Sequence, residues 1–268
     1  MAKVRLDVLL VERGLAESRA KAQALIMAGQ VRVDGQTVLK AAATPELDSV
    51  LTIDSGPRFV SRGGEKLEAA LEAFNMDVTG LTCADVGAST GGFTDCLLQR
   101  GAARVYAMDV GKGILHWKLR TDSRVILMEE TNARYVKSLP EPASLVTIDA
   151  SFISLKILLP VVKKWFSSSP FPLGEGRRGE GEIIALIKPQ FEAGRKDVAR
   201  GDGVIRDAAV HRQVLLDVLT FARDEGFDVR GLIRSPLLGP KGNAEFLAWL
   251  GFAGGGDIHQ LIEGCFEA

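Results

Sequence analysis

A chain of 268 residues is long for one domain and comfortable for two. Its 46% hydrophobic and 25% charged residues are the balance of a soluble globular protein, and no run approaches eighteen uninterrupted apolar residues, which excludes a helical membrane span. The net charge of −1 is unevenly spread: residues 1–40 hold seven Lys/Arg against four Asp/Glu, as in a basic module joined to a neutral or acidic one.

The opening stretch MAKVRLDVLLVERG carries charge through its apolar part and has no small-residue cleavage site, so it does not read as a signal peptide. Three cysteines (Cys83, Cys96, Cys265) and three histidines (His116, His211, His259) show neither disulfide nor metal-ligand spacing. No metal is expected, and a reducing cytoplasm suits the composition.

In chain order, Leu6, Leu9 and Leu10 repeat at helical spacing, and Gly14 stands where that helix would stop. Ser18 can cap a second helix, RAKAQALIMA, closed by Gly29. QVRVDGQTVLK follows, with Val31 and Val33 alternating and Asp34-Gly35 offering a two-residue hairpin turn. Lys3, Arg5, Arg19, Lys21 and Arg32 are dispersed over the polar positions, where they are either solvated charges or a surface for phosphates. The run from Arg5 to Val38 closely resembles the S-four type RNA-binding domain, through its SR-x-x-A-x-x-LI-x-x-G-x-V-x-V-x-G pattern. That resemblance covers about residues 4–50 and implies that these five basic residues grip phosphates of a folded RNA.

From CADVG onward, short apolar strands alternate with helical stretches, the pattern of a doubly wound α/β sheet. Strands are expected at 81–86, 103–109, 124–128, 144–149, 182–188, 228–234 and 245–251. Helical faces are marked by Leu67, Ala70, Leu71 and Phe74, and by Val214, Leu215, Val218, Leu219 and Ala222. Seven strands ending in a hairpin point to the methyltransferase variant of the fold. SSSPFPLGEGRRGEGE, residues 167–182, is rich in Gly, Pro, Ser and charge and reads as a mobile surface insertion. The expected organisation is therefore a module at 1–58, a linker at 59–65, a larger domain at 66–254 and a tail at 255–268.

ADVGASTGGFTDCLL, residues 84–98, reads as a strand, a glycine-rich turn and the start of a helix. Its glycines fit neither G-x-G-x-x-G nor a P-loop. A nucleoside cofactor remains open, with Asp85 at the strand end orienting an amino acid group and Asp109, ending the next strand, accepting ribose hydroxyls. Equally, such a turn can serve only to pack a helix closely.

DVGASTGGFTD resembles the cofactor loop of FtsJ-type ribose methyltransferases. With the N-terminal module, FVSRGGEKL, TNAR, DASFISL and IKPQFE, it makes the chain similar to the TlyA family over about residues 4–252. Members bear the name hemolysin and act as ribosomal RNA cytidine 2′-O-methyltransferases. The resemblance implies S-adenosylmethionine held by Asp85, Gly87, Ser89, Gly91, Gly92 and Phe93, with Asp109 on the ribose and Thr131 or Asn132 near the adenine. It also implies a catalytic set of Lys66, Asp149, Lys188 and Glu245, and ribosomal RNA or ribosomal subunits as partner. The family often has tryptophan where Phe59 stands, and Phe59 keeps an aromatic there.

The residue types suit the chemistry. A sulfonium methyl is already an activated electrophile, whereas a ribose hydroxyl is a poor nucleophile until a base accepts its proton. Lys188 is the candidate base, and the two carboxylates hold the lysines and bind the hydroxyl. Taken singly the residues have plainer readings: Asp149 as a helix cap, Lys66 as a solvated helix residue, Glu245 as an edge-strand charge. Competing functions are a membrane-active cytolysin, a catalytically silent RNA-binding assembly factor and a base methyltransferase. Against these stand the missing membrane span, the four filled catalytic positions and the missing Asn/Asp-Pro-Pro-Tyr/Phe run, respectively.

Overall fold

A computed structural model describes residues 4–54, 56–166, 181–194 and 203–267. The chain divides into two compact units, residues 1–58 and 59–268.

In the first unit, helix α1 (Leu6–Glu12) packs on helix α2 (Arg19–Met27). The Ser18 hydroxyl accepts from the Lys21 N–H at 3.2 Å, capping α2, and Gly29 leaves it at φ +72°. Strands β1 (Val31–Val33) and β2 (Gln36–Thr37) form the hairpin, with Asp34 and Gly35 both at positive φ as a type I′ turn needs. A strand not foreseen, β3 (Leu51–Ile53), pairs antiparallel with β1. Leu6, Leu9, Leu10, Ala22, Ile26, Val31 and Leu51 make this unit's own core.

The second unit opens with α3 (Gly63–Ala73), then alternates β4 (Thr82–Val86), α4 (Gly92–Gln99), β5 (Arg104–Met108), α5 (Trp117–Arg120) and β6 (Val125–Met128). After these come β7 (Leu145–Ile148), α6 (Leu155–Val162), β8 (Glu182–Ile187), α7 (Pro189–Glu192), α8 (Ala208–Asp224), β9 (Asp228–Arg234), β10 (Phe246–Gly251) and α9 (Ile258–Gly264). The seven strands form one sheet in the order β6-β5-β4-β7-β8-β10-β9, parallel from β6 to β8, with β10 antiparallel to both neighbours. The fold is α/β and doubly wound. Period-2 alternation divides the strand side chains between two cores: Ile183, Ala185 and Ile187 face one, Ile184 and Leu186 the other.

Three boundaries differ from the expectation. Residues 59–65 are not a linker: Phe59 is buried in the core beside Leu67 and Phe93, the Val60 N–H donates to Asp95 at 2.9 Å, and α3 has begun by Gly63. Residues 255–268 are not a loose tail, because α9 buries Ile258 and Ile262 against β9 and α8, and Cys265 follows them into the core. The expected insertion lies outside the described residues up to 180. Glu182, its last residue, already opens β8. No described helix is long and apolar enough to cross a membrane.

Candidate active site

The strand order reverses between β4 and β7, since the chain runs outward through β5 and β6 before returning to β7. Ligands in open α/β sheets sit beyond the carboxyl ends of the strands at such a switch point. Gly87 leaves β4 there, Asp109 leaves β5, Asp149 leaves β7 and Lys188 leaves β8.

Gly87 (φ +85°) passes so close to the Asp149 carbonyl that a methyl group at Gly87 would stand 2.7 Å from that oxygen. Gly91 (φ +98°) is the residue before α4, and a side chain there would collide with Leu119. The turn therefore needs glycine at both positions, one for backbone approach and one for the left-handed entry to the helix.

Two clefts share Gly87, Ser89 and Asp149 as a common wall. One, of about 580 Å³, is lined on its apolar side by Val86, Met108, Val110 and Ile153, and on its polar side by Asp109, Thr131 and Asn132. The Asp109 carboxylate accepts from the Ser89 N–H at 2.8 Å and the Gly111 N–H at 2.7 Å, which fixes it at the cleft wall with acceptor capacity to spare. A cleft of this volume, mostly apolar with one anchored carboxylate able to take a vicinal diol, fits a nucleoside.

The second cleft, of about 340 Å³, is lined by Lys66, Asp149, Lys188 and Glu245, with Arg62 and Phe93 beside them. The four form two ion pairs. Lys66 Nζ lies 2.5 Å from Glu245 Oε2, with side chains 11% and 0% exposed, so Lys66 is not a solvated helix residue. Lys188 Nζ lies 2.7 Å from Asp149 Oδ1 and donates to Ser151 Oγ at 3.0 Å. Asp149 does not cap α6; Ser154 does, accepting from the Lys156 N–H at 3.1 Å. Nor is Glu245 an edge charge. It precedes β10, which is flanked by β8 and β9, and the register Phe246↔Ile187 brings it to the edge where Lys188 stands.

Asp85 departs from its expected place. It is fully buried beneath the turn, borders neither cleft, and accepts from the hydroxyls of Thr94 (2.7 Å) and Thr147 (3.0 Å). Burial pushes its carboxyl up to about 7, against the pull of the two hydroxyls, and the charge of Asp149 adds to the rise. Of the other expected cofactor residues, Thr131 and Asn132 border the larger cleft, Gly92 and Phe93 the smaller, and Gly87 and Ser89 both. Gly91 borders neither and acts through the helix entry.

Sequence reasoning missed Ser151, which touches Lys188, and Gln190, whose Nε2 donates to Glu245 Oε1 at 3.4 Å. Both lie inside motifs already singled out, DASFISL and IKPQFE, and a polar residue within two positions of a candidate catalytic one was the available signal. The cysteines offer no nucleophile: all three are buried, and burial pushes the thiols of Cys83 to about 12 and Cys265 to about 11. Among the described residues no group of three or more His, Cys, Asp or Glu could hold a metal ion.

In the first unit, Arg5 and Arg19 both pair with the buried Asp7, while Arg32 meets Asp54 at 3.3 Å and Lys21 is exposed. Lys3 lies outside the described residues.

Comparison with known proteins agrees with this architecture. YqxC of Bacillus subtilis, provisionally named an rRNA methyltransferase, is 47% identical over 97% of this chain and 90% of its own. The Mycobacterium tuberculosis 16S/23S rRNA (cytidine-2′-O)-methyltransferase TlyA is 44% identical over 92% of this chain and 90% of its own. A solved structure of a protein from Streptococcus thermophilus, provisionally named a hemolysin, superposes with a TM-score of 0.70 at 40% identity, covering 100% of this chain and 97% of that one. The FtsJ-like methyltransferase profile matches residues 59–252 and the S4 domain profile residues 4–48. With the switch-point clefts and the two-unit architecture, these matches identify the chain as a member of the FtsJ-like methyltransferase family that carries an S4 domain at its N-terminal end.

Proposed function

We propose that the protein methylates ribosomal RNA on a ribose 2′-oxygen, that of a cytidine, with S-adenosylmethionine as cofactor and in the cytoplasm. The observation that carries this reading is the Lys188–Asp149 pair, standing where a nucleoside-sized cleft and a lysine-lined cleft share a wall. The Mycobacterium tuberculosis relative, named for that activity, supports the choice of substrate.

In this reading the Asp109 carboxylate would hold the cofactor's ribose, Thr131 and Asn132 would contact its adenine, and the Gly87–Ser89 backbone would hold the rest of it. The bound cofactor supplies a methyl group already activated by a positive sulfur. Lys188, after its ammonium has released a proton to solvent, accepts the proton of the ribose hydroxyl as a neutral amine, and Asp149, 2.7 Å away, offsets the charge that the lysine then regains. Ser151 holds the amine from a second side at 3.0 Å. Lys66 and Glu245 fix the opposite wall and orient the hydroxyl, so that much of the rate comes from positioning. The N-terminal unit binds the folded RNA through Arg5, Arg19, Lys21, Arg32 and Lys3, and most of that affinity depends on salt.

The test is incubation with labelled cofactor and unmodified ribosomal subunits, followed by mass spectrometry of the digested nucleosides. Label on a ribose 2′-oxygen supports the reading, and an RNA with a single 2′-deoxy nucleotide at the mapped site should bind and accept no methyl group. A methyl group on a base, or on the deoxy nucleotide, overturns it.

A further inference from the structure

The N-terminal unit buries one carboxylate completely. Asp7, in the first turn of α1, has no exposed side-chain surface, and four donor groups on three side chains meet its carboxylate. Arg5 meets it edge-on, with Nε 3.0 Å from one oxygen and Nη2 3.0 Å from the other. Arg19, the first residue of α2, donates Nε at 3.0 Å, and Gln23, one turn further, donates Nε2 at 2.7 Å. Hydrogen bonding by Arg5 first, helped by Gln23 and Arg19, holds the carboxyl well below the usual carboxylate range.

The arrangement is asymmetric in a useful way. Asp7 takes one whole edge of the Arg5 guanidinium and the Nε of Arg19, while the two side chains remain 43% and 56% exposed. Nη1 of Arg5 and both terminal nitrogens of Arg19 have no partner among the described residues. Two guanidinium groups this close would otherwise repel, and one carboxylate between them offsets that while leaving the trio a charge of +1. Arg32 offers no such platform, because its exposed partner Asp54 leaves it free to exchange with water.

We propose that Asp7 is a positioning residue for RNA: it holds Arg5 by one edge and Arg19 by its Nε so that their remaining N–H groups form one preset fork for a phosphodiester. This rests on the reading of the N-terminal unit as an RNA-binding module. The planar guanidinium matches a phosphate in bidentate fashion, which a lysine cannot do. Because both side chains are ordered before RNA arrives, the rotamer entropy that binding usually removes has already been lost in folding.

The test uses the full chain and unmodified 23S ribosomal RNA transcribed in vitro, titrated at several salt concentrations, with thermal unfolding as the control for folding. Asp7→Asn should weaken binding roughly tenfold. The Arg5→Gln/Arg19→Gln pair should weaken it further and flatten the dependence of log K on log salt by about 0.7–0.9 for each lost phosphate contact. Adding Asp7→Asn to that pair should cost nothing more. Arg19→Lys, which keeps the charge but loses the fork, should weaken binding several-fold at an unchanged salt slope. Equal losses from Asp7→Asn in both backgrounds, or wild-type affinity in Asp7→Asn or Arg19→Lys, overturn the positioning role and leave the RNA-binding module standing. Wild-type affinity in the double-arginine variant removes the RNA surface itself. Should Asp7→Asn fail to fold, Arg19→Lys alone decides.

Discussion

Removal of Lys66 tests both the stability and the chemistry of the site. Lys66 and Glu245 are 2.5 Å apart, with side chains 11% and 0% exposed, so neither charge can be rescued by water if its partner is lost. At an effective dielectric constant of about 20 their attraction is on the order of 6–7 kcal/mol, and desolvation of the two groups cancels much of it. The single change Lys66→Met leaves Glu245 buried and charged with, among the described residues, only the amide of Gln190, at 3.4 Å, to donate to its carboxylate. It should destabilise the fold by about 3–5 kcal/mol, the usual cost of stranding one member of a buried pair. The double variant Lys66→Met/Glu245→Met removes both charges and keeps the volume, so it should return to within about 1–2 kcal/mol of wild type. Urea denaturation followed by circular dichroism measures all three stabilities, and transfer of labelled methyl to ribosomal subunits measures activity. The double variant should be folded and inactive. Additive losses in the double variant would refute the pair as the source of the stability effect, and retained methyl transfer would refute its place in catalysis.

Lys188→Ala should lower methyl transfer by about 10²–10⁴, the range of a lost general base, with cofactor affinity nearly unchanged in equilibrium dialysis, because Lys188 borders the smaller cleft and not the one that carries Asp109. Parallel losses of binding and turnover would make it a cofactor residue. Asp85 gives a pH signature. Its folded carboxyl sits at about 7 against 3.8 ordinarily, so the native state holds a proton that the unfolded chain has released. That contribution is fully present below about pH 4 and is lost as pH rises to about 7, on the order of 4 kcal/mol in all. Asp85→Asn should flatten this part of the stability profile, and identical slopes for the two proteins between pH 4.5 and 7.5 would contradict the assignment. Deleting residues 1–58 should leave residues 59–268 folded, since each unit has its own core, and able to bind cofactor but not to methylate ribosomal subunits. Full activity of the truncated protein would remove the RNA-binding role.

Local chemistry wrote most of the elements into the sequence. The seven strands fall within one residue of the periodicity-based bounds at either end, and Ser18, Gly29 and Asp34-Gly35 play the cap, stop and turn that their backbone preferences dictate. A side-chain period and a positive φ depend only on neighbours in the chain, and so they are legible there. The candidate catalytic set was legible only through its motifs, because nothing in the local sequence says that Lys66 and Glu245, 179 positions apart, share a hydrogen bond. Topology decides that: β10 runs antiparallel to β8, so the start of β10 meets the end of β8, and Glu245 arrives at the edge that Lys188 occupies. Burial is decided in the same way. Asp85 looked like a ligand residue because it ends a strand before a glycine turn, yet its pairing with Thr147 across β4 and β7, under Thr94 of α4, encloses it completely. Phe59, read as part of a linker, and Ile258, Ile262 and Cys265, read as part of a tail, are likewise drawn into cores formed by residues far along the chain. Whether a side chain meets water depends on partners that only the closed sheet and its covering helices bring together.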